Sequence, residues 1–260
     1  MVLNGNSGCE LKLINSGVIR KTSITTEYNI RLDNQIRLQS EFTHHTMKTP
    51  KILDSGLIDG KRYYDMEFIN GQKLSDYLNN SKFEDTVRLF NRVLSFINEN
   101  DEGEVYTPTY YTLAKLEEIE KKISIDVSIS NFVKKNVGGY VPIGKSHGDL
   151  TFENIIVFND ELYLIDFLDG YIQTPIIDIS KLYQELHLNW SNRSKETAFL
   201  TNVRNHELKK LLDNFIKEKQ YDTKSVKVQI VMTLLRILPY TKNTEIYYKV
   251  LNKIFQIINL

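Results

Sequence analysis

Along the chain, short runs of alternating apolar and polar residues give way, past about residue 70, to longer runs with apolar positions three and four apart. Among the early runs, Lys12-Leu13-Ile14 and Gly17-Val18-Ile19-Arg20-Lys21 read as strands. So do Pro50-Lys51-Ile52-Leu53 and Arg62-Tyr63-Tyr64-Asp65-Met66-Glu67-Phe68, the latter running into Ile69-Asn70-Gly71. Between them, residues 28–42 carry Ile30, Leu32, Ile36, Leu38 and Phe42 at loosely helical spacing. Helical spacing then predicts helices over 73–78, 83–97, 110–123, 179–190, 196–219, 224–238 and 244–258, with a polar loop over 98–108. One interruption stands out. Ile155-Ile156-Val157-Phe158 and Leu162-Tyr163-Leu164-Ile165 flank Asn159-Asp160-Glu161, the signature of a hairpin. A strand-rich first quarter and a helix-rich remainder predict an α+β chain with a small antiparallel-sheet lobe over 1–69 and a larger helical lobe over 70–260.

The hairpin sits inside a chemically pointed segment. Residues 147–154 read His-Gly-Asp-Leu-Thr-Phe-Glu-Asn, and twelve positions beyond Asn154 comes Asp166, in Leu-Ile-Asp-Phe. Asp149 is a carboxylate able to accept a proton. Asn154 and Asp166 offer the hard oxygens that a divalent cation takes. Phosphoryl transfer from a nucleotide needs this set: one group to orient a hydroxyl, and ligands that hold magnesium against phosphates. Four residues separate Asp149 from Asn154, the interval of the kinase catalytic loop. A hairpin that starts after Asn154 and ends before Asp166 returns both to one end. Either piece alone reads equally well as a turn or an edge carboxylate, and only the pair is specific.

From His147 to Asp178 the chain resembles the aminoglycoside phosphotransferase and choline kinase-like superfamily, small-molecule relatives of the protein kinases. Gly148 follows the histidine where protein kinases usually carry arginine, as in that family. Gln173-Thr174-Pro175-Ile176-Ile177-Asp178 resembles the family's Asp-Pro-x-x-Asp run, with Thr174 in place of the first aspartate. The resemblance implies a bilobal protein kinase-like fold with ATP in a cleft. It also implies that Asp178 is buried, with His147, in support of the catalytic loop; a helix N-cap is the other role open to Asp178. Asp166-Phe167-Leu168 lacks the glycine of the protein-kinase tripeptide, and only about eight residues separate Asp166 from Pro175. A regulated activation segment is therefore not expected, and with it a protein kinase.

The N-terminal lobe carries weaker signals in the right order. Gly5, Asn6, Ser7, Gly8 and Cys9 form a glycine-containing turn whose amides can approach phosphate oxygens, although hairpin turns use the same residues. Ile19 and Lys21 share one strand face and Arg20 points the other way, which makes Lys21 the candidate phosphate-binding lysine. The resemblance implies a glutamate partner on the following helix. That position falls near Gln35, with Glu41 the nearest later carboxylate, and the choice between them is open. A glutamine hydrogen-bonds an ammonium without neutralising it. His44-His45 reads as a surface pair, since adjacent helix positions do not converge on a metal. By the same resemblance Met66 lines the adenine pocket, the carbonyl of Glu67 accepts from the exocyclic amine, and the amide of Ile69 donates to the ring.

Composition narrows the class. Lys plus Arg and Asp plus Glu are 33 each, a balance that argues against bulk attraction to nucleic acid or to anionic membrane. A single cysteine, Cys9, excludes an intrachain disulfide and fits a reducing, cytoplasmic setting. No apolar stretch approaches the ~18 residues of a membrane span, and no secretory leader is evident. The reading that results is a phosphotransferase using ATP or GTP with Mg²⁺, in which Asp149 activates a hydroxyl of a small acceptor. Aminoglycosides call for many carboxylates, and only Asp169 and Glu185 stand near the site. The run from Thr174 to Leu182 resembles uncharacterised family members associated with cell-surface polysaccharide synthesis, which favours a sugar or amino alcohol. A catalytically silent nucleotide-binding module is the rival from another class, and the intact Asp149, Asn154 and Asp166 speak against it.

Overall fold

The computed structural model describes residues 8–194 and 198–259 and, for 2–4, the backbone alone. In chain order the elements are β1 (Val2–Asn4), β2 (Cys9–Asn15), β3 (Val18–Ser23), α1 (Asn29–Glu41), β4 (Met47–Lys48), β5 (Ile52–Ile58), β6 (Lys61–Glu67) and β7 (Gln72–Lys73). There follow α2 (Leu74–Asn80), α3 (Phe83–Glu99), β8 (Asp101–Tyr106), α4 (Thr109–Glu120), α5 (Val127–Asn136) and β9 (Val141–Gly144). The chain closes with β10 (Ile155–Phe158), β11 (Glu161–Leu164), α6 (Ile176–Leu188), α7 (Phe199–Glu218), α8 (Thr223–Ile237) and α9 (Thr244–Ile258).

Two compact units divide the chain: Met1–Tyr77 with Phe152–Asp169, and Leu78–Thr151 with Gly170–Leu260. The division read from sequence, at residue 69, assigns the 155–165 hairpin to the helical part. In the structure that hairpin groups with the strand-rich unit, because β10 pairs antiparallel with β7 and β11 pairs parallel with β4. The main chain of four short strands decides this, and two of them are two residues long.

In the first unit a five-stranded antiparallel sheet runs β1-β2-β3-β6-β5, and α1 packs on β5 and β6. Alternation along β3 buries Ile19, Lys21 and Ser23 and leaves Val18, Arg20 and Thr22 partly open. Cys9, Ile19, Leu32, Tyr64 and Met66 form the buried cluster beneath α1. Within it stands a lysine, and that is the unit's chemical oddity. The hairpin turn consists of Asn159 and Asp160 alone, both left-handed (φ 48° and 62°), which matches the strand twist. Glu161 consequently begins the second strand, one residue earlier than its polarity suggests.

The second unit is helical. α6 packs on α7 and α8, and α8 also meets α4, α5 and α9. Burial follows: Ile176, Ile177, Ile179, Leu182, Leu186 and Leu188 of α6 are buried, as are Val226, Val228, Ile230, Val231, Met232, Leu234 and Leu235 of α8. Helices at buried positions read in sequence as apolar nearly all round, with the few polar exceptions carrying information. Four readings need correction. Residues 101–106 are a strand paired with β9, not a loop; its residues are mostly exposed, so no apolar alternation betrays it. α5 went unread, although Asp126 caps it through the Ser128 amide. α6 begins at Ile176, with Thr174 Oγ1 accepting from the Ile176 amide at 3.3 Å, and ends at left-handed Asn189. The helix expected over 196–219 begins at Phe199; its expected first residues lie outside the described ones.

Candidate functional site

Lys21 is 2% exposed, and its ammonium meets two oxygens: Gln35 Oε1 at 2.9 Å and Asp166 Oδ1 at 2.5 Å. Strand alternation on β3 aims the lysine inward and α1 brings Gln35 to it. Burying an ammonium penalises its charge, but Asp166 more than offsets this and its pKa is raised. Lys21 is therefore a fixed cation. The open choice of partner resolves on Gln35. Glu41 lies on the exposed face, 3.2 Å from Arg37. Because the amide contributes no charge, Asp166 is the one carboxylate among the described residues that neutralises Lys21.

Asp166 is unusual in its backbone as well. It adopts φ 63°, a left-handed conformation that an aspartate tolerates and most residues avoid. The hairpin register Ile155↔Leu164 leads to a hydrogen bond from the Ile165 amide to the Asn154 carbonyl at 3.1 Å, so Asn154 and Asp166 come to one end, as expected. Asn154 is 8% exposed and Asp166 is about a third exposed. Only Oδ1 of Asp166 is taken up, by Lys21; Oδ2 engages no described residue. A hard cation bound through one carboxylate fits such a donor set.

Other expected nucleotide residues fall as follows. Gly5, Asn6 and Ser7 lie outside the described residues. Gly8 has φ +45°, and a Cβ there would come within 2.5 Å of the Tyr28 ring, so glycine is required. Cys9 opens β2 and is 2% exposed; burial pushes its thiol up to about 11, which makes it a packing residue with little thiolate. Met66 belongs to the buried cluster. The amide of Glu67 donates to the Lys51 carbonyl at 3.0 Å, and the carbonyl of Ile69 accepts from Gly71 at 2.8 Å. His44 and His45 follow α1 instead of lying on it, and their rings stack at 4.9 Å.

In the second unit the loop around Asp149 is built on α6. Asp178 Oδ2 accepts from the His147 amide at 2.7 Å and Oδ1 from the Gly148 amide at 2.9 Å. The cap alternative fails, because the N-cap is Pro175 and Asp178 stands within the first turn. Burial pushes its carboxyl up to about 7, with the two amides pulling the other way. Gly148 takes φ 81°, which turns the chain sharply at Asp149. His147 is 1% exposed, and its Nδ1 accepts from the Asp149 amide at 3.3 Å.

Asp149 itself meets a residue that sequence reading passed over. Lys181 Nζ lies 2.9 Å from Asp149 Oδ1. Burial raises the carboxyl of Asp149, but Lys181 outweighs it and the net shift is downward. Asp149 is thus an ionised, oriented acceptor, not a strong base. The signal was available: Lys181 is three residues past Asp178, one turn along the same helix face. It reads as a solvated surface lysine only if α6 is taken to be exposed.

No model of a known protein family matches the chain, and no curated protein sequence matches it. Solved structures do. Aminoglycoside phosphotransferase APH(4)-Ia, in a ternary complex with AMP-PNP and hygromycin B, is 11% identical with a TM-score of 0.70, over 100% of this chain and 92% of that one. ADP-bound APH(2'')-Ib is 15% identical with a TM-score of 0.62, over 98% and 91%. The streptomycin–ATP complex of APH(2'')-IIa is 13% identical with a TM-score of 0.58, over 98% and 90%. The chain has the α+β, protein kinase-like fold of the aminoglycoside phosphotransferases.

Proposed function

We propose that the protein is an ATP-dependent phosphotransferase that moves the γ-phosphoryl group to a hydroxyl of a small molecule of the sugar or amino alcohol kind. The observation that carries the reading is the joint presence of two built aspartates. Asp166 is held on Lys21 with one oxygen to spare, and Asp149 is held ionised by Lys181 on a loop anchored by Asp178. An inert scaffold has no use for a buried lysine opposed by a left-handed aspartate, since both features cost stability.

Lys21 would take the charge of the nucleotide phosphates, together with backbone amides of residues 5–9. Met66, Glu67 and Ile69 would hold the adenine. Asn154 and Asp166 would hold Mg²⁺, which when bound neutralises charge on the phosphate oxygens. Asp149 accepts the hydrogen bond of the acceptor hydroxyl and directs its lone pair at the γ-phosphorus. As the new oxygen–phosphorus bond forms, the bond to the β-bridging oxygen breaks, ADP leaves, and the hydroxyl proton passes to the Asp149 carboxylate. A lowered pKa suits a transition state with late proton transfer, where orientation and electrostatics supply most of the rate.

The test is ADP release in the presence of Mg²⁺ against sugars, amino alcohols and aminoglycosides. Acceptor-dependent ADP formation that requires Asp149 supports the reading. Nucleotide binding with no acceptor-dependent turnover across the panel would favour a silent binding module.

A further inference from the structure

Within the second unit, α8 presents Gln229, Thr233 and Arg236 at intervals of four and three, hence on one face of a helix that is otherwise mostly apolar and buried. Gln229 is occupied at both ends: its Oε1 accepts from the Tyr171 hydroxyl and its Nε2 donates to Thr112 Oγ1 at 3.4 Å. Arg236 is not. Its guanidinium carbon lies 5.3 Å from the centroid of the Tyr171 ring. Beyond that stacking it makes no hydrogen bond or ion pair among the described residues, and its Nη1 is buried without a partner. An arginine cannot shed its proton to relieve this, so the donors await an acceptor.

The carboxylates of the loop do not supply one. Asp149 is paired with Lys181, and both oxygens of Asp178 are spent on the amides of His147 and Gly148. Arg236 nevertheless stands near enough to Asp149 for its charge to favour the ionised carboxylate. A cation with no counter-ion among the described residues therefore acts on the group that would receive the acceptor hydroxyl. On the Lys181 side, Gln184 Nε2 is a second buried donor without a partner, on a side chain whose Oε1 lies 3.4 Å from Lys181 Nζ.

We infer that the acceptor is an anion: a hydroxylated compound whose carboxylate or phosphate monoester binds Arg236 while its reacting hydroxyl lies on Asp149. This rests on the phosphotransferase reading and narrows it. The planar fork of a guanidinium matches either anion through two parallel hydrogen bonds, and the Tyr171 ring lies 5.3 Å from the Arg236 guanidinium carbon. An amino alcohol or a polycationic aminoglycoside would set ammonium groups against Arg236 and Lys181, the wrong sign for both. The fold is shared with aminoglycoside kinases, but the charge around Asp149 is not arranged for their substrates.

The test compares compounds of similar size and different charge: gluconate, glucose 6-phosphate, neutral glucitol and cationic glucosamine. Calorimetry measures binding of each to the wild-type protein, Arg236→Gln and Arg236→Lys, with circular dichroism confirming the fold. At least one anion is expected to bind roughly 10- to 100-fold tighter than glucitol, the margin of a charge-assisted pair. Arg236→Gln should erase that margin and Arg236→Lys should keep part of it, with MgATP affinity unchanged in both. Preference for gluconate alone assigns a carboxylate, and preference for glucose 6-phosphate alone assigns a phosphate. Glucitol or glucosamine binding as tightly as both anions overturns the inference, as does anion binding indifferent to Arg236→Gln. An anion bound through Arg236 but never phosphorylated upholds the anion site and sinks the phosphotransferase reading instead.

Discussion

Among the described residues each compact unit contains one buried lysine opposed by one aspartate, and the two pairs are built for different ends. Lys21 and Asp166 meet at 2.5 Å, with a neutral glutamine as the lysine's other partner. Lys181 and Asp149 meet at 2.9 Å, and here it is the loop before the aspartate that is held, its His147 and Gly148 amides donating to Asp178. In the first pair the aspartate serves the lysine: without Asp166 no carboxylate among the described residues pairs with the buried ammonium. In the second the lysine serves the aspartate, keeping a carboxylate ionised in surroundings that favour its protonation. The same two residue types thus give a fixed cation in one unit and a fixed anion in the other. Which of them is desolvated without other charge decides which.

That contrast breaks most readily at Asp166. Replacing it by asparagine leaves Lys21 buried with no counter-charge, which costs on the order of 3 kcal/mol, the low end for a broken buried pair because Asp166 is about a third exposed. Urea unfolding should show this, and Mg²⁺-dependent nucleotide binding should be lost with it. Gln35→Leu is expected to cost less, about 1.5–2 kcal/mol in the same assay, since it removes one hydrogen bond to a charged group and no charge. Gln35→Glu should fold normally. Equal losses for Asp166→Asn and Gln35→Leu would mean that hydrogen bonding, not charge, holds the lysine.

Lys181→Met sharpens the other half. Burial raises the carboxyl of Asp149 and Lys181 lowers it, so removing the lysine leaves burial to act with less opposition. Because only the ionised carboxylate accepts the hydroxyl, the acid limb of kcat/KM should move to higher pH in the variant, from its wild-type place below the ordinary aspartate range. The nucleotide KM should stay where it was. A pH profile unmoved by the substitution would show that the pair is structural.

Much of this was legible in the sequence, for definable reasons. Asp149, Asn154 and Asp166, the residues of the proposed site, stand out through spacing, and the hairpin between the last two through an Asn-Asp turn with strand-forming flanks. Lys21 followed from period two, since Ile19 inward means Lys21 inward. α9 could be read to the residue because its apolar stripe is half exposed and its cap, Asn243, accepts from the Ile246 amide. Arg236 was not legible, and Lys181 only through its place one turn past Asp178. A lysine and an arginine on helices look like solvent-facing residues until the helix is known to be packed on both sides, and that depends on α6 meeting α8 across some fifty residues of chain. β4 and β7 are too short for any periodicity, and β8 is exposed enough to have none. The choice between Gln35 and Glu41 needed the turn of α1, which a weakly amphipathic helix does not announce.

The most direct test pairs two readouts on one substitution. Asp149→Asn keeps the size of the side chain and removes its charge, and general-base help of this kind is worth about 10²–10⁴ in rate. Turnover should collapse by that factor while calorimetry finds MgATP bound with unchanged affinity. Loss of MgATP binding along with turnover would contradict the account, for it would make Asp149 a nucleotide or metal ligand and leave the acceptor hydroxyl without its base.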